Sequence, residues 1–534
     1  MMGKFGLQSK KHICKSGLFL TELTKTTNET FILLNILQST IHMKKIVLFA
    51  IILFFNRAVA QTNAVLFEGP PVFHGAQVTG NFPGTEFLFT VPATGQRPIT
   101  FTAQNLPAGL TIEAGSGIIR GVVKEKGSYA VRITAENAKG KAEEVLKIEI
   151  GDKLCLTPPM GWNSWNVFTN TLDEKLVIET ADAMVSSGMR DLGYQYINMD
   201  DFWHAVSRAA DGKPVADPAK FPHGIKWLSD YVHSKGLKLG IYSDAGDKTC
   251  GKCFGGFQHE EIDAKVYAGW GIDLLKYDFC FVPWSKKQAL ERYTKMGNAL
   301  KSSGRSIVYS ICNWGLFGPW KWGEQVGGNY WRTTPDIIDT WSGGPFWYGS
   351  FTKILKKQTR LYKYAGPGHW NDPDMMIVGN YGQGKATGQG KWKGMTDTEY
   401  ETHMSLWCML NAPLLSGCDL RNMNEPTKNI LLNPDIIAIN QDAKGEQAQR
   451  VSTTGGIWVY RKSMADGSVA VAIMNYSGKD KSREFTVNKL LDGEATGATV
   501  TNVWQHTTAT HTGNDKLLLQ LKPHQTIVLR IKAN

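Results

Sequence analysis

Between Leu156 and about Asp442 the chain alternates strand-like and helix-like runs, and this alternation constrains the fold more than any other feature. The strand-like runs are Met160–Ser164, Tyr194–Asp200, Leu237–Asp244, Asp273–Asp278, Ser306–Cys312, Trp331–Asp336, His369–Met375 and Pro413–Asp419. Parallel neighbours need a crossover, and a helix is the usual one. Eight such units in fewer than 300 residues point to an α/β fold, a (β/α)8 TIM barrel. A doubly wound sheet would carry a Gly-rich phosphate turn after an early strand, and none is present. Thr171 with Glu174, Ser285 with Gln288 and Thr396 with Glu399 each fit a capping box that opens a helix. Val177, Ala181, Met184 and Val185 follow the first at helical spacing before Gly188; Ala289, Tyr293, Met296 and Leu300 follow the second before Gly304.

The flanks read differently. From Gln61 to about Ile150, runs at Ile99–Ala103, Leu110–Ile112, Tyr129–Thr134 and Val145–Ile150 alternate apolar and polar between Gly- and Pro-rich turns, which predicts a small β-sandwich. From about Gly455 to Asn534 six further runs predict a second, antiparallel sandwich: Ile457–Arg461, Val469–Met474, Arg483–Val487, Val500–Trp504, Leu517–Leu521 and Thr526–Ile531. The expected organisation is therefore a sandwich over 61–152, a barrel over 153–445 and a sandwich over 446–534.

Met43-Lys44-Lys45, the apolar run Ile46 to Phe55 and Ala58-Val59-Ala60 occur in the order of a secretory signal peptide over 43–60. The apolar run is too short to span a bilayer, so no membrane span is expected after its removal. Gln61 is the expected mature N-terminus, and residues 1–42 read as an upstream mis-start. An exported protein, periplasmic or extracellular, follows. The formal charge of +11 points weakly at nucleic acid, because residues 1–42 and 43–60 each carry +3 of it. Nucleic-acid binding is not expected. Seven cysteines follow the leader, too few for a disulfide scaffold. Cys250-Gly-Lys-Cys253 has the spacing of half a zinc site, but no second pair at metal spacing exists, and a disulfide or two is the preferred reading. No metal is expected.

Catalytic groups of such a barrel stand at the C-terminal ends of its strands. Lys276 and Asp278 share one face of Leu274-Leu275-Lys276-Tyr277-Asp278. They fit either a structural ion pair at the barrel mouth or a working acid with its cation. Asp336 ends a later run with Arg332 nearby, and fits a helix cap or turn as well as a carboxylate in use. Asp200-Asp201 and Asp372-Pro373-Asp374 add four more acids at strand ends. Trp162, Trp165, Trp203, Trp314, Trp331 and Trp370 lie on the same runs or close after them. Acids that accept from vicinal hydroxyls and indoles that pack on pyranose C–H faces suit a sugar, although about half of these Trp should be barrel packing. Two carboxyls across such a pocket are what glycoside hydrolysis requires.

Six motifs carry a resemblance: Pro158-Pro159-Met160-Gly161-Trp162-Asn163-Ser164-Trp165, Asn198-Met199-Asp200-Asp201, Gly240-Ile241-Tyr242-Ser243-Asp244, Lys276-Tyr277-Asp278, Trp331-Arg332-Thr333-Thr334-Pro335-Asp336 and Gly366-Pro367-Gly368-His369-Trp370-Asn371-Asp372-Pro373-Asp374-Met375. In order, from about Leu156 to the C-terminus, the chain resembles glycoside hydrolase family 27, the α-galactosidases and α-N-acetylgalactosaminidases of the melibiase clan. The N-terminal segment loosely resembles immunoglobulin-like modules that precede bacterial carbohydrate-active enzymes. The resemblance implies a retaining hydrolase with Asp278 as nucleophile and Asp336 as acid/base, acting on terminal α-linked galactose of oligosaccharides or polysaccharide side chains. It implies Trp162, Asp200, Asp201, Tyr242, Lys276, Asn313, Arg332 and Asp374 around the sugar, a disulfide between Cys250 and Cys280, and no cofactor.

Asn313 follows Cys312 where relatives selective for a free 2-hydroxyl place a Glu, and Leu316 stands where N-acetyl-selective relatives have a small residue. This favours galactose over N-acetylgalactosamine. A β-L-arabinopyranosidase or α-N-acetylgalactosaminidase on the same site is the enzymatic alternative. A non-catalytic carbohydrate-binding protein is the alternative from another class.

Overall fold

A computed structural model describes residues 67–384 and 392–534. The expected mis-start and signal peptide lie outside the described residues. Eight parallel strands run β1 (Met160–Asn163), β2 (Tyr196–Asn198), β3 (Lys238–Asp244), β4 (Leu274–Asp278), β5 (Val308–Ile311), β6 (Tyr330–Arg332), β7 (Trp370–Asp372) and β8 (Leu414–Ser416). Each pairs with its successor from β1 to β7, β8 pairs with β1, and a parallel bridge between Met376 and Ser416 links the β7 side to β8. The strands are buried except at Lys238 and Lys276, which are partly exposed, as expected when helices cover a parallel sheet.

Helices α1 (Glu174–Ser186), α2 (Gly224–Ser234), α3 (Glu260–Trp270), α4 (Lys286–Lys301), α5 (Phe351–Gln358) and α6 (Asp397–Met409) lie between the strands. The three expected helix starts fare differently. Thr396 and Glu399 form the full reciprocal box at α6. Ser285 accepts from the Gln288 backbone at α4, but the Gln288 side chain turns to Glu291 and Arg292 instead. Thr171 is not a cap: its hydroxyl donates to Phe168, and Asp173 caps α1 by accepting from Leu176 N. Asp outranks Thr at this position and lies one residue before the first helical residue.

The strand-like run Trp331–Asp336 breaks at Arg332. Pro335 has no N–H to give a ladder, so Thr333–Asp336 leaves the sheet and starts the loop that carries Asp336.

The N-terminal module is a sandwich. Four strands, Val78–Asn81, Gly140–Ile150, Gly127–Asn137 and Thr100–Gln104, face three, Glu86–Thr90, Ile118–Val122 and Leu110–Ile112. Its core (Phe87, Phe89, Ile119, Val131, Ile148) is separate from that of the barrel. It sits on the N-terminal face of the barrel strands. There Ser306 bonds Phe82 N and Thr85 Oγ1, Thr90 donates to Gly236 O, and Arg305 bridges Glu86 and Asp273. The C-terminal module has a six-stranded antiparallel sheet and a two-stranded one. Trp458, Tyr460, Ala470 and Val528 from it share one continuous core with the barrel.

Candidate active site

The carboxylates converge at the C-terminal ends of β2, β3, β4 and β6 and just after β7. Register places Tyr242 opposite Lys276 and Asp244 opposite Asp278 across β3 and β4. Asp278 is buried and accepts from the Tyr242 hydroxyl at 2.9 Å and from Phe279 N at 3.0 Å. Burial pushes its carboxyl up to about 6 against the pull of the Lys276 ammonium; Asp336 and Asp200 push in the same direction as burial. Lys276 does not pair with Asp278. Its ammonium donates to Asp200 Oδ2 at 2.7 Å, and Asn163 Nδ2 holds the same oxygen at 2.9 Å. Burial opposes the Lys276 charge most strongly, but Asp200, Cys312 and Asp278 together outweigh it and the ammonium stays protonated well above its ordinary range.

Asp201 is fixed by backbone donors, Phe202 N at 2.8 Å and Gly251 N at 2.7 Å. A Cβ at Gly251 would lie 2.8 Å from Asp201 Oδ2, so that approach requires glycine. Cys250, beside Gly251, is disulfide-bonded to Cys280, with 5.2 Å between the Cα atoms. One covalent link thus ties the loop that grips Asp201 to the residue two beyond Asp278.

Arg332 organises the other side. One of its nitrogens, Nη2, lies 2.9 Å from both Asp336 Oδ1 and Asp374 Oδ2. Asp336 is partly open to solvent, with 28% of its side chain exposed, whereas Asp374 is buried. Burial raises the Asp374 carboxyl to about 7 despite Arg332. Asp374 adopts φ 101, and its oxygens accept from Ile337 N and Met375 N. It therefore pins the loop just beyond Asp336. Cys312, fully buried, feels Asp278, Lys276, Arg332 and Asp336 together, which puts both expected catalytic acids around one point. Asn313, next along, donates from Nδ2 to Leu316 O at 2.6 Å; its buried Oδ1 has no hydrogen-bond partner among the described residues.

Four of the six rim tryptophans, Trp162, Trp203, Trp331 and Trp370, are fully buried, with indole N–H groups committed to Cys418 O, Tyr242 O, Asn371 Oδ1 and Cys155 O. Trp370 belongs to the cluster at the opposite face with Leu154 and Tyr196, so it cannot meet a substrate at this rim. Trp165 and Trp314 remain partly exposed.

Sequence reasoning gave Asp244 no role. It is buried, accepts from Gly246 N and Cys280 N, and burial with the nearby Asp278 carboxylate raises its pKa far above the usual range. The signal was its position at the end of the Gly-Ile-Tyr-Ser-Asp run, one strand from the nucleophile candidate.

The Cys250-Gly-Lys-Cys253 pair separates: Cys250 enters the disulfide, while Cys253 approaches Asp201 and His204. Those three side chains offer ligand atoms within 4.8 Å of one another. The other candidate group, Asp244, Asp278, Cys250 and Cys280, contains the disulfide itself and offers no free thiolate.

A (β/α)8 barrel with paired, differently solvated carboxylates at its C-terminal rim is the architecture of a glycoside hydrolase. The family model described as "Alpha galactosidase A" matches residues 157–442, and "Alpha galactosidase C-terminal beta sandwich domain" matches 454–531. An Ig-domain model matches 70–151. An alpha-galactosidase of Cyamopsis tetragonoloba is 46% identical over 354 residues, 66% of this chain and 80% of the relative. A Bacteroides fragilis crystal structure, assigned there only provisionally as an alpha-galactosidase/melibiase, is 47% identical with TM-score 0.85, covering 88% of this chain and 99% of that one. Alpha-galactosidase I of Mortierella vinacea is 34% identical with TM-score 0.67, covering 72% of this chain and 99% of the other. The chain belongs to the alpha-galactosidase A family, glycoside hydrolase family 27.

Proposed function

We propose that this enzyme hydrolyses terminal α-linked galactose by a double displacement that retains anomeric configuration. The observation that carries the reading is the division of labour between two acids. Asp278 is buried and positioned by Tyr242, and Asp336 is partly solvated and held by Arg332. In the first step an Asp278 oxygen bonds to the anomeric carbon as the glycosidic C–O bond breaks, and Asp336 gives its proton to the departing oxygen. In the second, Asp336 takes a proton from water, which attacks the same carbon and releases Asp278. Asp200 and Asp201 would accept from the 4- and 6-hydroxyls, and Lys276 would donate to hydroxyls beside Asp278. The unpartnered Oδ1 of Asn313 supplies an acceptor where the usual Glu is missing, and we assign it to the 2-hydroxyl. Leaving that oxygen buried and unpaired would cost about 1–3 kcal/mol, so a hydroxyl there is favoured.

Purified protein should be tested on p-nitrophenyl α-galactoside, α-N-acetylgalactosaminide, β-L-arabinopyranoside and α-glucoside. A dominant α-galactoside rate is expected; a faster arabinopyranoside or N-acetyl rate would overturn the pocket assignment while leaving the acids in place. Roles separate by leaving group. Asp336→Ala should fail on melibiose but keep part of its rate on the activated aryl galactoside, whereas Asp278→Ala should lose both. Equal losses for Asp336→Ala on both substrates would remove it as the acid.

We also infer export through the 43–60 segment. The Cys250–Cys280 disulfide supports an oxidising destination. Expression from Met43 in a bacterial host, followed by fractionation and N-terminal sequencing, should yield a periplasmic or extracellular protein beginning at Gln61; an uncleaved cytoplasmic chain would refute it.

A further inference from the structure

Five Trp and Phe side chains are exposed among the described residues, and four of them stand on just two loops. Phe281 and Trp284, 57% and 64% exposed, lie between Asp278 and α4. Phe346 and Trp347, 78% and 68% exposed, lie between Asp336 and α5. The fifth, Trp227 on α2, rests against His223 and Tyr231. Loops after barrel strands all emerge on the catalytic face, so the four aromatics share the rim with the two acids.

Three observations argue that this apolar exposure serves a ligand. Phe281 is held at φ 53, a strained conformation for a bulky residue, immediately after the disulfide cysteine Cys280. Phe346 and Trp347 meet edge-on at 5.1 Å between centroids, and Lys353 on α5 ties the turn by donating to Phe346 O and Tyr348 O at 2.6 and 2.8 Å. The loops are also almost uncharged. Residues 279–284 contain no acid or base, and 333–350 contain only Asp336 and the buried Asp339.

Flat aromatic faces match the C–H faces of neutral pyranoses, and the one nearby cation over them among the described residues, the Lys353 ammonium 5.5 Å from the Phe346 centroid, leaves Phe281, Trp284 and Trp347 as the uncharged faces. Direction follows from the chemistry. Asp336 protonates the oxygen that leaves, so whatever carries that oxygen passes the loop of Phe346 and Trp347. We propose that Phe281, Trp284, Phe346 and Trp347, outside the galactose pocket itself, form a stacking platform for neutral sugars beyond the scissile bond. This rests on the galactosidase reading and assigns residues to the leaving-group side of the same site.

The test compares Phe281→Ala/Trp284→Ala and Phe346→Ala/Trp347→Ala with the parent protein on a soluble galactosylated β-mannan and on p-nitrophenyl α-galactoside. The expected result is a KM for the polysaccharide raised at least about fivefold, the loss of one to two stacking contacts. The aryl galactoside kcat should stay within about twofold of the parent, showing the rim is otherwise intact. Unchanged polysaccharide kinetics in both variants would overturn the proposal, as would equal losses on the two substrates. So would a change in sedimentation with unchanged polysaccharide kinetics, which would mark the patch as a contact between copies of this chain. Absence of parent activity on the aryl galactoside would instead strike the galactosidase reading, a distinguishable failure.

Discussion

Asp278 shows how a single residue trades stability for chemistry. Its carboxyl sits at about 6 because burial disfavours the charge that attack on the anomeric carbon requires. The nucleophile must be ionised, so kcat/KM should fall about tenfold per pH unit below pH 6, as a titration of initial rates would record. Stability moves the other way. The folded protein binds this proton more tightly than the unfolded chain, so Asp278 favours folding below about pH 4, and that contribution disappears as pH rises through about 6. Asp278→Asn removes the charge but keeps the shape. At pH 7 it should abolish turnover yet raise the melting temperature, and a lower one would show that Tyr242 and Phe279 offset the burial fully. At this scale the sequence was legible where alternation is strict. Lys276 and Asp278 were read as sharing a face, with an ion pair as one reading. Their actual partners, Asp200 and Tyr242, come from other strands, and single-strand periodicity carries no information about register between strands.

Elements were legible where local chemistry is complete. The α6 start contains both halves of a reciprocal cap within four residues, and it forms. Thr396→Ala should therefore lower stability by about 1 kcal/mol in urea unfolding while kcat stays unchanged, since the cap lies in no catalytic contact. At α1, two acceptors competed within three residues, and the stronger, nearer Asp173 prevailed over Thr171. Two strands missed by the sequence reading have different causes. Ile118–Val122, the central strand of its three-stranded sheet, has its apolar pattern interrupted by Gly121 at φ 139, whereas Thr507–His511, an edge strand of the six-stranded sheet, is almost wholly polar. Edge strands need no buried face, so they leave no hydrophobic pattern. The aromatic loops escaped notice because exposure is a tertiary property. From composition alone, Trp347 and the buried Trp331 look equally good as sugar contacts.

At the scale of the molecule, the N-terminal module and the catalytic rim occupy opposite ends of the barrel. Arg305 is the buried tie, bonded to Asp273 and to Glu86 of the module at 2.6 Å each. Burial alone would raise Asp273, but His233 and Arg305 hold it down to about 2. Its contribution is present above the ordinary carboxylate range and lost as pH falls toward 2. Arg305→Ala should destabilise by about 3 kcal/mol at neutral pH, the usual result of orphaning a buried charge. The deficit should shrink in acid, and KM should not move; a change in KM would mean that the far end communicates with the site. The fold class, a barrel between two strand-rich flanks, was legible in changes of hydrophobic period along the chain. Which barrel end each sandwich covers was not, because docking depends on side chains such as Thr90 and Ser306 that carry no periodic signal.

The Cys250–Cys280 link has a consequence in time rather than in space. Gly251 N grips Asp201, and Asp278 lies two residues before Cys280, so the substrate grip and the nucleophile strand share one covalent knot. Thirty residues separate the two sulfurs in sequence, and the barrel around them is held by its strand ladders and the Met376–Ser416 bridge. We expect the barrel to form without this link, and the link then to fix the Asp201 loop against the nucleophile strand. Dithiothreitol should depress galactosidase turnover at concentrations that leave the far-ultraviolet circular dichroism intact, and reoxidation should restore it. Loss of both signals together would mean that shape and chemistry arrive as one.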